Sequence, residues 1–429
     1  MNYGFIYAGL IVLVMLLYLR RQQRTHLRNV RKLEKSLASG FHEPASLHPI
    51  IDPTRCIGSG TCAKACPEDA LGLINGKMVL KNASACIGHG TCRQACPVDA
   101  ITLVFGSAKR GVDIPSVSSE FESNVPGIFI AGELGGMGLI HKAAQQGRAA
   151  IRAIRKSIQA GPGYDVVIVG SGPAGLSAGL SALHHGLRYL LIEQEDTLGG
   201  AIAHYPRQKI TMTSSIELDM VGKVNFGQIP KEQLVKFWKE TVVATGLKIS
   251  FRECLQSIDK IDKGFVVHTS GGQHHTKTVL LALGRQGTPR KLDVPGENSP
   301  KVTYRLVDAA QYAGKTVLVV GGGDSALEAA IALSQIDSIS VTLVHRSEAF
   351  TRVKSRNREL LAKQAANQRV QVVMQTDVKQ IDAHQVLLDV AGTSKTLSCD
   401  AIIVCAGGLL PTVLLEKIGI EFQTKFGSA

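Results

Sequence analysis

The sequence predicts an α/β protein of several domains, with a small α+β module and one apolar helix ahead of them. Two short apolar strands each run into a glycine-rich turn followed by helical spacing, at Gly170 and at Gly321. Ahead of both turns, six of the nine cysteines fall in two similar runs between Cys56 and Cys96. A chain of 429 residues has room for two or three domains of ordinary size.

The N-terminal segment predicts a membrane anchor. Residues 1–19 carry no charged side chain, and a helix of that length spans roughly 28 Å, about the apolar core of a bilayer. Basic residues follow from Arg20 to Lys35, which places that end in the cytoplasm. We therefore expect a single-pass anchor over 1–20, a basic juxtamembrane linker over 21–50, and catalytic domains facing the cytoplasm at the inner membrane. A buried core helix is the alternative.

The net charge of +13 does not indicate a nucleic-acid partner. Much of it lies in the juxtamembrane stretch, where it can meet anionic lipid headgroups. The chain contains no recognition motif for nucleic acid, so we expect none to bind.

The cysteine runs predict iron–sulfur clusters in a dicluster ferredoxin-like domain over 51–106. Each run reads C-I-G-x-G-T-C-x-x-A-C-P, close to the bacterial ferredoxin pattern in which the last cysteine serves the other cluster. Cross-ligation joins Cys56 and Cys62 to Cys96 at one site, and Cys86 and Cys92 to Cys66 at the other. A zinc site, or a domain that has lost its clusters, is the alternative, but zinc favours paired C-x2-C spacing.

The fourth ligand of each cluster is open, because Ser59 and His89 stand where a cysteine is expected. Either the clusters contain three irons and need only three thiolates, or a fourth iron takes Ser59, His89 or an exogenous ligand. The runs resemble those of single-cluster ferredoxins that reduce bacterial cytochromes P450, and that resemblance favours three irons.

The first glycine turn predicts an FAD site. The strand from Tyr164 leads into G-x-G-x-x-G, and a second strand ends at Glu193, 23 residues past Gly170. That spacing suits a carboxylate that holds a ribose hydroxyl, and the helix N-terminus suits a pyrophosphate. The candidate residues of the turn and strand are Gly170, Gly172, Pro173, Ala174, Gly175 and Glu193.

The second glycine turn predicts a nicotinamide dinucleotide site. Its second strand ends in His345-Arg346 rather than in an acid, and a cation there suits the 2′-phosphate of NADPH better than NADH. A solvated basic loop is the alternative. The candidate residues are Gly321, Gly323, Ser325, Ala326, His345, Arg346 and Arg352.

These motifs together resemble the two-domain thioredoxin reductase family, over about residues 107–429. The stretch Gly199-Gly-Ala-Ile-Ala-His-Tyr-Pro-Arg207 is most similar to the bacillithiol disulfide reductase branch. The resemblance implies FAD and NADPH, adds Gly200 and Gly284 to the cofactor site, and suggests a homodimer. The family's redox C-x-x-C is absent, because the corresponding stretch 302–308 has no cysteine. We expect Cys254, Cys399 and Cys405 to be inert core thiols.

The order of the motifs departs from that family and predicts a circular permutation. The segment Asn124-Val-Pro-Gly-Ile-Phe-Ile-Ala-Gly132-Glu133 and a helix over 139–158 resemble the family's closing segment, yet precede the FAD strand. The resemblance implies that Gly132 and Glu133 bind the cofactor, with the Glu133 carboxylate near the flavin's ribityl chain. The predicted domains are a permuted segment at 107–160, an FAD domain at 161–295, an NAD(P)H domain at 296–408, and a return to the FAD domain at 409–429.

The sequence thus predicts a membrane-anchored oxidoreductase that passes electrons from NADPH (or NADH) through FAD to two iron–sulfur clusters. The partner beyond them is a cytochrome, a quinone or a soluble carrier, and electrons can also run in the reverse direction. A low-molecular-weight disulfide reductase and a membrane redox sensor are the alternatives. No general acid or base is assigned.

Overall fold

A computed structural model describes residues 3–38, 44, 47–107, 111–136, 138–158, 161–285, 288–350, 353–409 and 411–427. The chain divides into two compact units. The first comprises residues 1–112 with 425–429, and the second comprises 113–424.

The first unit contains a long helix and a small module of hairpins and short helices. Its elements are α1 (Tyr3–Ala38), β1 (His48–Ile51), α2 (Thr61–Lys64), β2 (Leu71–Ile74), β3 (Lys77–Leu80), α3 (Thr91–Gln94) and β4 (Ile101–Val104). Strand β1 pairs antiparallel with β4, and β2 pairs antiparallel with β3. Leu71, Met78 and Ile101 pack with buried cysteines in its core.

A buried polar cluster fixes the C-terminal half of α1 to β2. Asn29, only 2% exposed, donates from Nδ2 to the Leu73 carbonyl at 3.0 Å and accepts from Lys81 Nζ at 3.2 Å. The buried Lys81 ammonium also pairs with Asp69 at 2.6 Å, and Lys32 of α1 reaches the same carboxylate at 2.7 Å. Because every one of these polar groups has a partner, the helix docks without leaving a buried charge unpaired.

The N-terminal half of α1 has no such partner surface among the described residues. Its apolar side chains from Tyr7 to Leu19 are exposed. Within the described ranges, no helix combines the length and the apolar character needed to cross a membrane. The predicted transmembrane anchor over 1–20 is therefore unsupported, and residues 1 and 2 of that segment lie outside the described residues.

The second unit holds most of the regular structure. Its strands are β5 (Val112–Pro115, starting at the unit boundary), β6 (Ile128–Ile130), β7 (Tyr164–Val169), β8 (Tyr189–Glu193), β9 (Ile210–Thr213), β10 (Ile216–Leu218), β11 (Gly222–Val224), β12 (Gly227–Pro230), β13 (Ser250–Phe251), β14 (Leu255–Ile261), β15 (Gly264–Thr269), β16 (Gly272–Leu281), β17 (Thr288–Pro289), β18 (Val302–Thr303), β19 (Thr316–Val320), β20 (Ser340–Val344), β21 (Val370–Val373), β22 (Thr376–Ile381), β23 (Gln385–Val390), β24 (Thr393–Ser398), β25 (Ala401–Val404), β26 (Gly408–Leu409) and β27 (Phe422–Lys425, ending at the boundary). Its helices are α4 (Ile140–Ser157), α5 (Pro173–His184), α6 (Lys231–Thr245), α7 (Asp324–Ser334), α8 (Ser355–Ala366) and α9 (Thr412–Lys417).

A seven-stranded sheet forms the first lobe of this unit. Its parallel part has the order β13-β8-β7-β16-β6, and the N-terminal part of β16 continues into the antiparallel ribbon β15-β14. Residues Ile128–Ile130 pair in register with Val279–Leu281. Strand β6, which precedes the glycine turn in the chain, is thus part of the same sheet as β7.

Helix α4 packs against α5 at very short range. A Cβ added at Gly147 would lie 2.0 Å from the carbonyl oxygen of Ala174, so only glycine allows the two backbones to approach this closely. Ala144, Ala150 and Ile151 of α4 are fully buried in the lobe's core.

The second lobe carries its own parallel sheet, in the order β18-β25-β19-β20-β21, and the antiparallel ribbon β22-β23-β24. Helix α7 packs over this sheet, with Val317, Val319, Leu327 and Leu343 in its core. The short strand pair β17-β26 is formed by the two segments that connect the lobes. The structure confirms the predicted α/β architecture with a ferredoxin-like module.

Candidate cofactor sites

The two cysteine runs adopt the same local backbone, as their sequence repeat predicts. Gly58 and Gly60 have φ of 70° and 74°, and Gly88 and Gly90 have 82° and 75°. Left-handed φ values of this kind favour glycine, which explains the repeated G-x-G. The halves are also joined reciprocally. Thr61 donates its hydroxyl to the Ala95 carbonyl at 2.8 Å, and Thr91 donates to the Ala65 carbonyl at 2.9 Å.

The first cysteine site contains the three thiols that cross-ligation predicts. They lie along one cavity together with Ser59. The full lining is Ile51, Cys56, Ile57, Gly58, Ser59, Gly60, Cys62, Met78, Cys96, Val98, Ala100 and Ile101. Burial raises the pKa of the Cys62 thiol, and the nearby Cys96 and Cys56 thiols add to that shift. Three soft sulfur donors in a largely apolar lining fit an iron–sulfur cluster.

The second site groups the remaining three thiols of the repeat. Burial raises the pKa of the Cys92 thiol to about 11, with further contributions from Cys86 and Cys66. The Cys66 thiol thus lies beside cysteines of the other run, as the ferredoxin pattern requires. His89 is half-buried. In the described part of the chain, no group of three or more His, Cys, Asp or Glu side chains is arranged to hold a single metal ion.

The first glycine turn has the geometry of a pyrophosphate cradle. Gly170 has φ of 102°, and a Cβ added at Gly175 would lie 1.8 Å from the Gly170 carbonyl oxygen. A Cβ at Gly172 would meet no atom within 4 Å, so this face of the turn can admit a ligand. Helix α5 begins at Pro173, and its first backbone N–H groups face the turn. The turn therefore fits the pyrophosphate of FAD.

Glu193, at the C-terminal end of β8, holds this turn by hydrogen bonds. Its carboxylate is 5% exposed, and Oε2 accepts from the Ser171 N–H at 2.8 Å and from the Ser171 hydroxyl at 2.7 Å. The predicted acid thus lies against the glycine turn, at the end of the second strand. Ser171 was not predicted as its partner, because the fingerprint treats that position as variable.

Gly132, which precedes β7 in the chain, and Gly200, which follows β8, both reach the same turn. The Gly132 N–H donates to Gln146 Oε1 at 2.8 Å, and a Cβ at Gly132 would lie 3.1 Å from the Ala174 Cβ. A Cβ at Gly200 would lie 3.1 Å from the Gly172 Cα. The structure thus brings Gly132 and Gly200 to the glycine turn. No sequence pattern indicated Gln146 as a partner of Gly132.

Glu133 directly follows Gly132 in the chain and is half-buried. Burial raises the pKa of its carboxyl, and the charge and backbone N–H of Arg285 lower it in part. Gly284, with φ of 70°, immediately precedes that arginine. Burial also raises the pKa of Tyr205 to about 12, and the Glu133 charge adds to this effect. Glu133, Tyr205 and Arg285 are therefore electrostatic neighbours.

The second glycine turn brings His345 onto the glycines. A Cβ added at Gly322 would lie 2.1 Å from the imidazole of His345, whose ring stacks on Phe350 with 5.3 Å between centroids. Burial lowers the pKa of His345, which favours the neutral form of the ring. A Cβ at Gly323 would meet no atom within 4 Å, which fits a pyrophosphate at the N-terminus of α7. Ser325 and Ala326 lie in the first turn of that helix.

Of the two arginines predicted at this turn, the structure describes Arg346. Arg346 is exposed just beyond β20, where it can meet a 2′-phosphate, whereas Arg352 lies outside the described residues. Asp324 Oδ1 accepts from the Lys354 N–H at 3.0 Å and from Asn357 Nδ2 at 2.7 Å. These bonds attach the start of α8 to the start of α7, a link that the sequence did not signal.

The remaining cysteines do not form a redox pair; among the described residues all nine cysteines are free. Cys399 is buried, and burial raises the pKa of the half-buried Cys405 to about 12, consistent with inert thiols. The prediction was wrong for Cys254, which is exposed. It follows the turn at Arg252, whose φ of 58° takes the chain out of the sheet before β14 begins.

Comparison with protein families gives two matches. Residues 167–426 match the family described as pyridine nucleotide-disulphide oxidoreductase, and residues 48–97 match a 4Fe-4S dicluster domain. The dicluster match agrees with the predicted ferredoxin-like module. FAD and a nicotinamide dinucleotide fit the first family.

Curated relatives include proteins named ferredoxin–NADP reductase. That of Streptococcus sanguinis is 36% identical over 202 residues, covering 46% of this chain and 59% of the relative. That of Geobacillus thermodenitrificans is 30% identical over 276 residues, covering 61% of this chain and 77% of the relative. The chain thus spans little more than half the length of several of these relatives.

Solved structures with a similar fold include bacillithiol disulfide reductases. The Bacillus cereus enzyme superposes with a TM-score of 0.53 at 25% identity, covering 60% of this chain and 81% of that one. The Staphylococcus aureus enzyme has the same TM-score at 24% identity, covering 60% of this chain and 80% of that one.

Proposed function

Because the chain belongs to the pyridine nucleotide-disulphide oxidoreductase family, we propose that it moves electrons between NADPH and iron–sulfur clusters through FAD. The observation that carries this proposal is the 4Fe-4S dicluster domain at 48–97 in the same chain as the two dinucleotide sites. FAD exchanges two electrons with nicotinamide and releases them singly, which is the form that clusters accept.

The relatives sharpen the proposal. They are named ferredoxin–NADP reductases, and this chain contains a ferredoxin-like module of its own. We therefore propose that the module takes the place of a separate ferredoxin. A cytochrome, a quinone or a soluble carrier beyond the clusters completes the path, in either direction.

The chain's residues have distinct parts in this proposal. The turn at Gly170 and the start of α5 bind the FAD pyrophosphate, and Glu193 binds its ribose. Glu133 orients the flavin's ribityl chain. The turn at Gly321 binds the nicotinamide dinucleotide, and exposed Arg346 favours the 2′-phosphate of NADPH over NADH.

We also propose that the FAD domain is circularly permuted. Strand β6 and helix α4 support this, since they precede β7 in the chain yet belong to its sheet and core. The family match, which begins only at residue 167, is consistent with it.

Gly147→Ala, which forces α4 away from the Ala174 carbonyl, should then lower FAD retention at least tenfold. The matched control Gln145→Ala changes an exposed position of the same helix. Equal FAD retention in both variants would show that α4 is not part of the FAD-binding core, and would contradict the permutation.

We propose further that the N-terminal half of α1 contacts a membrane. Two features support this: the exposed apolar side chains from Tyr7 to Leu19, and the exposed basic side chains that follow them on the same helix, Arg24, Arg28, Arg31 and Lys35. Flotation with vesicles containing anionic lipid should carry the full chain upward, and Leu13→Asp with Leu16→Asp should abolish this. Flotation of both proteins alike would count against the contact.

Turnover with a one-electron acceptor tests the central proposal. NADPH should reduce a large one-electron acceptor such as cytochrome c, and Cys62→Ala or Cys92→Ala should lower that rate at least tenfold while leaving FAD bound. Cys399→Ala is the matched control, because this buried thiol belongs to the second unit and is not part of the cysteine repeat.

Disulfide reduction is the second candidate function, favoured by the fold shared with bacillithiol disulfide reductases. It predicts that reduction of a low-molecular-weight disulfide by NADPH survives loss of Cys62 and Cys92 together. Survival of that activity, without cytochrome c reduction, would replace the proposal.

A further inference from the structure

The two iron–sulfur sites differ in their access to solvent, although the backbone of the two runs is the same. Ile57 is 66% exposed and Ser59 is exposed, whereas their counterparts Ile87 and His89 are half-buried. Gly88 is buried beneath the segment that leads into β1, where a Cβ would lie 3.0 Å from the Leu47 carbonyl oxygen. The rim of the first site therefore faces solvent more openly than that of the second.

The Ser59 hydroxyl already forms a hydrogen bond within the protein. Thr61 has a single hydroxyl hydrogen, which it donates to the Ala95 carbonyl at 2.8 Å. Ser59 Oγ lies 3.0 Å from Thr61 Oγ1, so Ser59 must be the donor of that bond. To bind iron as an oxygen anion, Ser59 would have to give up the hydrogen that joins it to Thr61.

The rest of the cavity lining supplies no other anionic donor for a fourth iron. Beyond the three cysteines and Ser59, the cavity is bounded by glycines, aliphatic side chains and the buried thioether of Met78. A thioether is a soft but neutral donor and does not replace the charge of a fourth thiolate.

From this geometry we infer that the chain supplies no fourth ligand at the site of Cys56, Cys62 and Cys96, and that a small exogenous donor such as water, hydroxide or a thiolate reaches that position from solvent. The inference rests on the proposed function, because it requires clusters to be present. It distinguishes this site from the more covered one at Cys86, Cys92 and Cys66.

The test compares Ser59→Ala with Ser59→Cys in the full chain, reconstituted anaerobically with ferric iron and sulfide, with dithionite supplying the electrons that a mixed-valence cluster requires. Iron per chain is measured. Electron paramagnetic resonance is recorded after oxidation with ferricyanide and after reduction with dithionite, with signals assigned to each site by Cys62→Ala and Cys92→Ala. Ser59→Ala and the control Met78→Leu should leave the first site's signal unchanged. Ser59→Cys should abolish any three-iron signal there, and should abolish the spectral shift that added 2-mercaptoethanol causes in the wild-type protein.

Other outcomes separate the two claims. A changed signal in Ser59→Ala or in Met78→Leu would identify a protein ligand and overturn the inference, as would a Ser59→Cys spectrum identical to wild type. Wild-type protein that takes up no iron would overturn the proposed function itself, and this inference with it.

Discussion

At the scale of single residues, Glu193 controls the first glycine turn. Its buried carboxylate accepts two hydrogen bonds from Ser171, one from the backbone and one from the hydroxyl. Hydrogen bonds to a charged acceptor contribute about 1.5–3 kcal/mol each, so their loss should be measurable in flavin binding.

We expect Glu193→Gln to weaken FAD binding by roughly 10- to 100-fold, because the neutral amide accepts these bonds less strongly. Fluorescence titration of the apoprotein with FAD measures this. Asp196→Asn is the matched control, since its side chain is 67% exposed. Affinities that fall equally in both variants would show that Glu193 does not hold the turn.

The Asp165 carboxylate should make the free energy of unfolding depend on pH. Burial alone raises the pKa of its carboxyl, but hydrogen bonds from Arg188 and Lys277 outweigh burial and bring that pKa to about 2. A depressed carboxyl pKa adds stability above the unfolded value near 4, and this stability is lost as pH falls toward 2.

Asp165→Asn should therefore lower the free energy of unfolding by about 2 kcal/mol at pH 6, with the gap from wild type narrowing between about pH 4 and pH 2. Urea denaturation followed by tryptophan fluorescence measures it, since Trp238 is buried in the same lobe. A gap that is independent of pH would assign the loss to packing instead.

At the scale of elements, α1 is held to the ferredoxin-like module by polar contacts rather than by an apolar seam. Asn29 joins the helix to β2, and Lys81 and Asp69 complete the cluster. The sequence did not predict this docking, because an asparagine within a basic segment carries no pattern that names a partner 44 residues away.

Asn29→Ala should free the C-terminal half of α1 from β2, at a local cost of about 1–3 kcal/mol for the unpaired Leu73 carbonyl and Lys81 contact. Hydrogen exchange of amides 24–36 should accelerate by roughly 5- to 100-fold. Thr25→Ala is the control, because Thr25 bonds only within the helix. Unchanged exchange in Asn29→Ala would mean that other contacts hold α1.

Sequence patterns predicted the groups whose chemistry requires a fixed spacing between residues along the chain. The glycine turns, the acid at 193 and the cross-paired cysteines follow from contacts within a short motif, and the structure brings each group together. Contacts between distant segments were not predictable: Gln146 with Gly132, Asn357 with Asp324, and Thr61 with Ala95 depend on how elements pack. Cys254 was misjudged because exposure depends on where the chain leaves a strand.

At the scale of the whole molecule, the chain combines two dinucleotide folds with a 4Fe-4S dicluster domain. Chain order is the informative feature here, since the cysteine repeat leads directly into β5, β6 and α4. The Gly132 N–H, just after β6, bonds to Gln146 of α4 beside the glycine turn at Gly170. The cysteine repeat and the elements that pack against this glycine turn are thus adjacent in the chain.

Anaerobic titration of the purified protein with NADPH, followed by flavin absorbance and electron paramagnetic resonance, tests the electron path most directly. We predict that the flavin is reduced and that the iron–sulfur signals then change in the same sample. Flavin bleaching without any change at the clusters would contradict the account, because the iron–sulfur module would then not be supplied by this flavin.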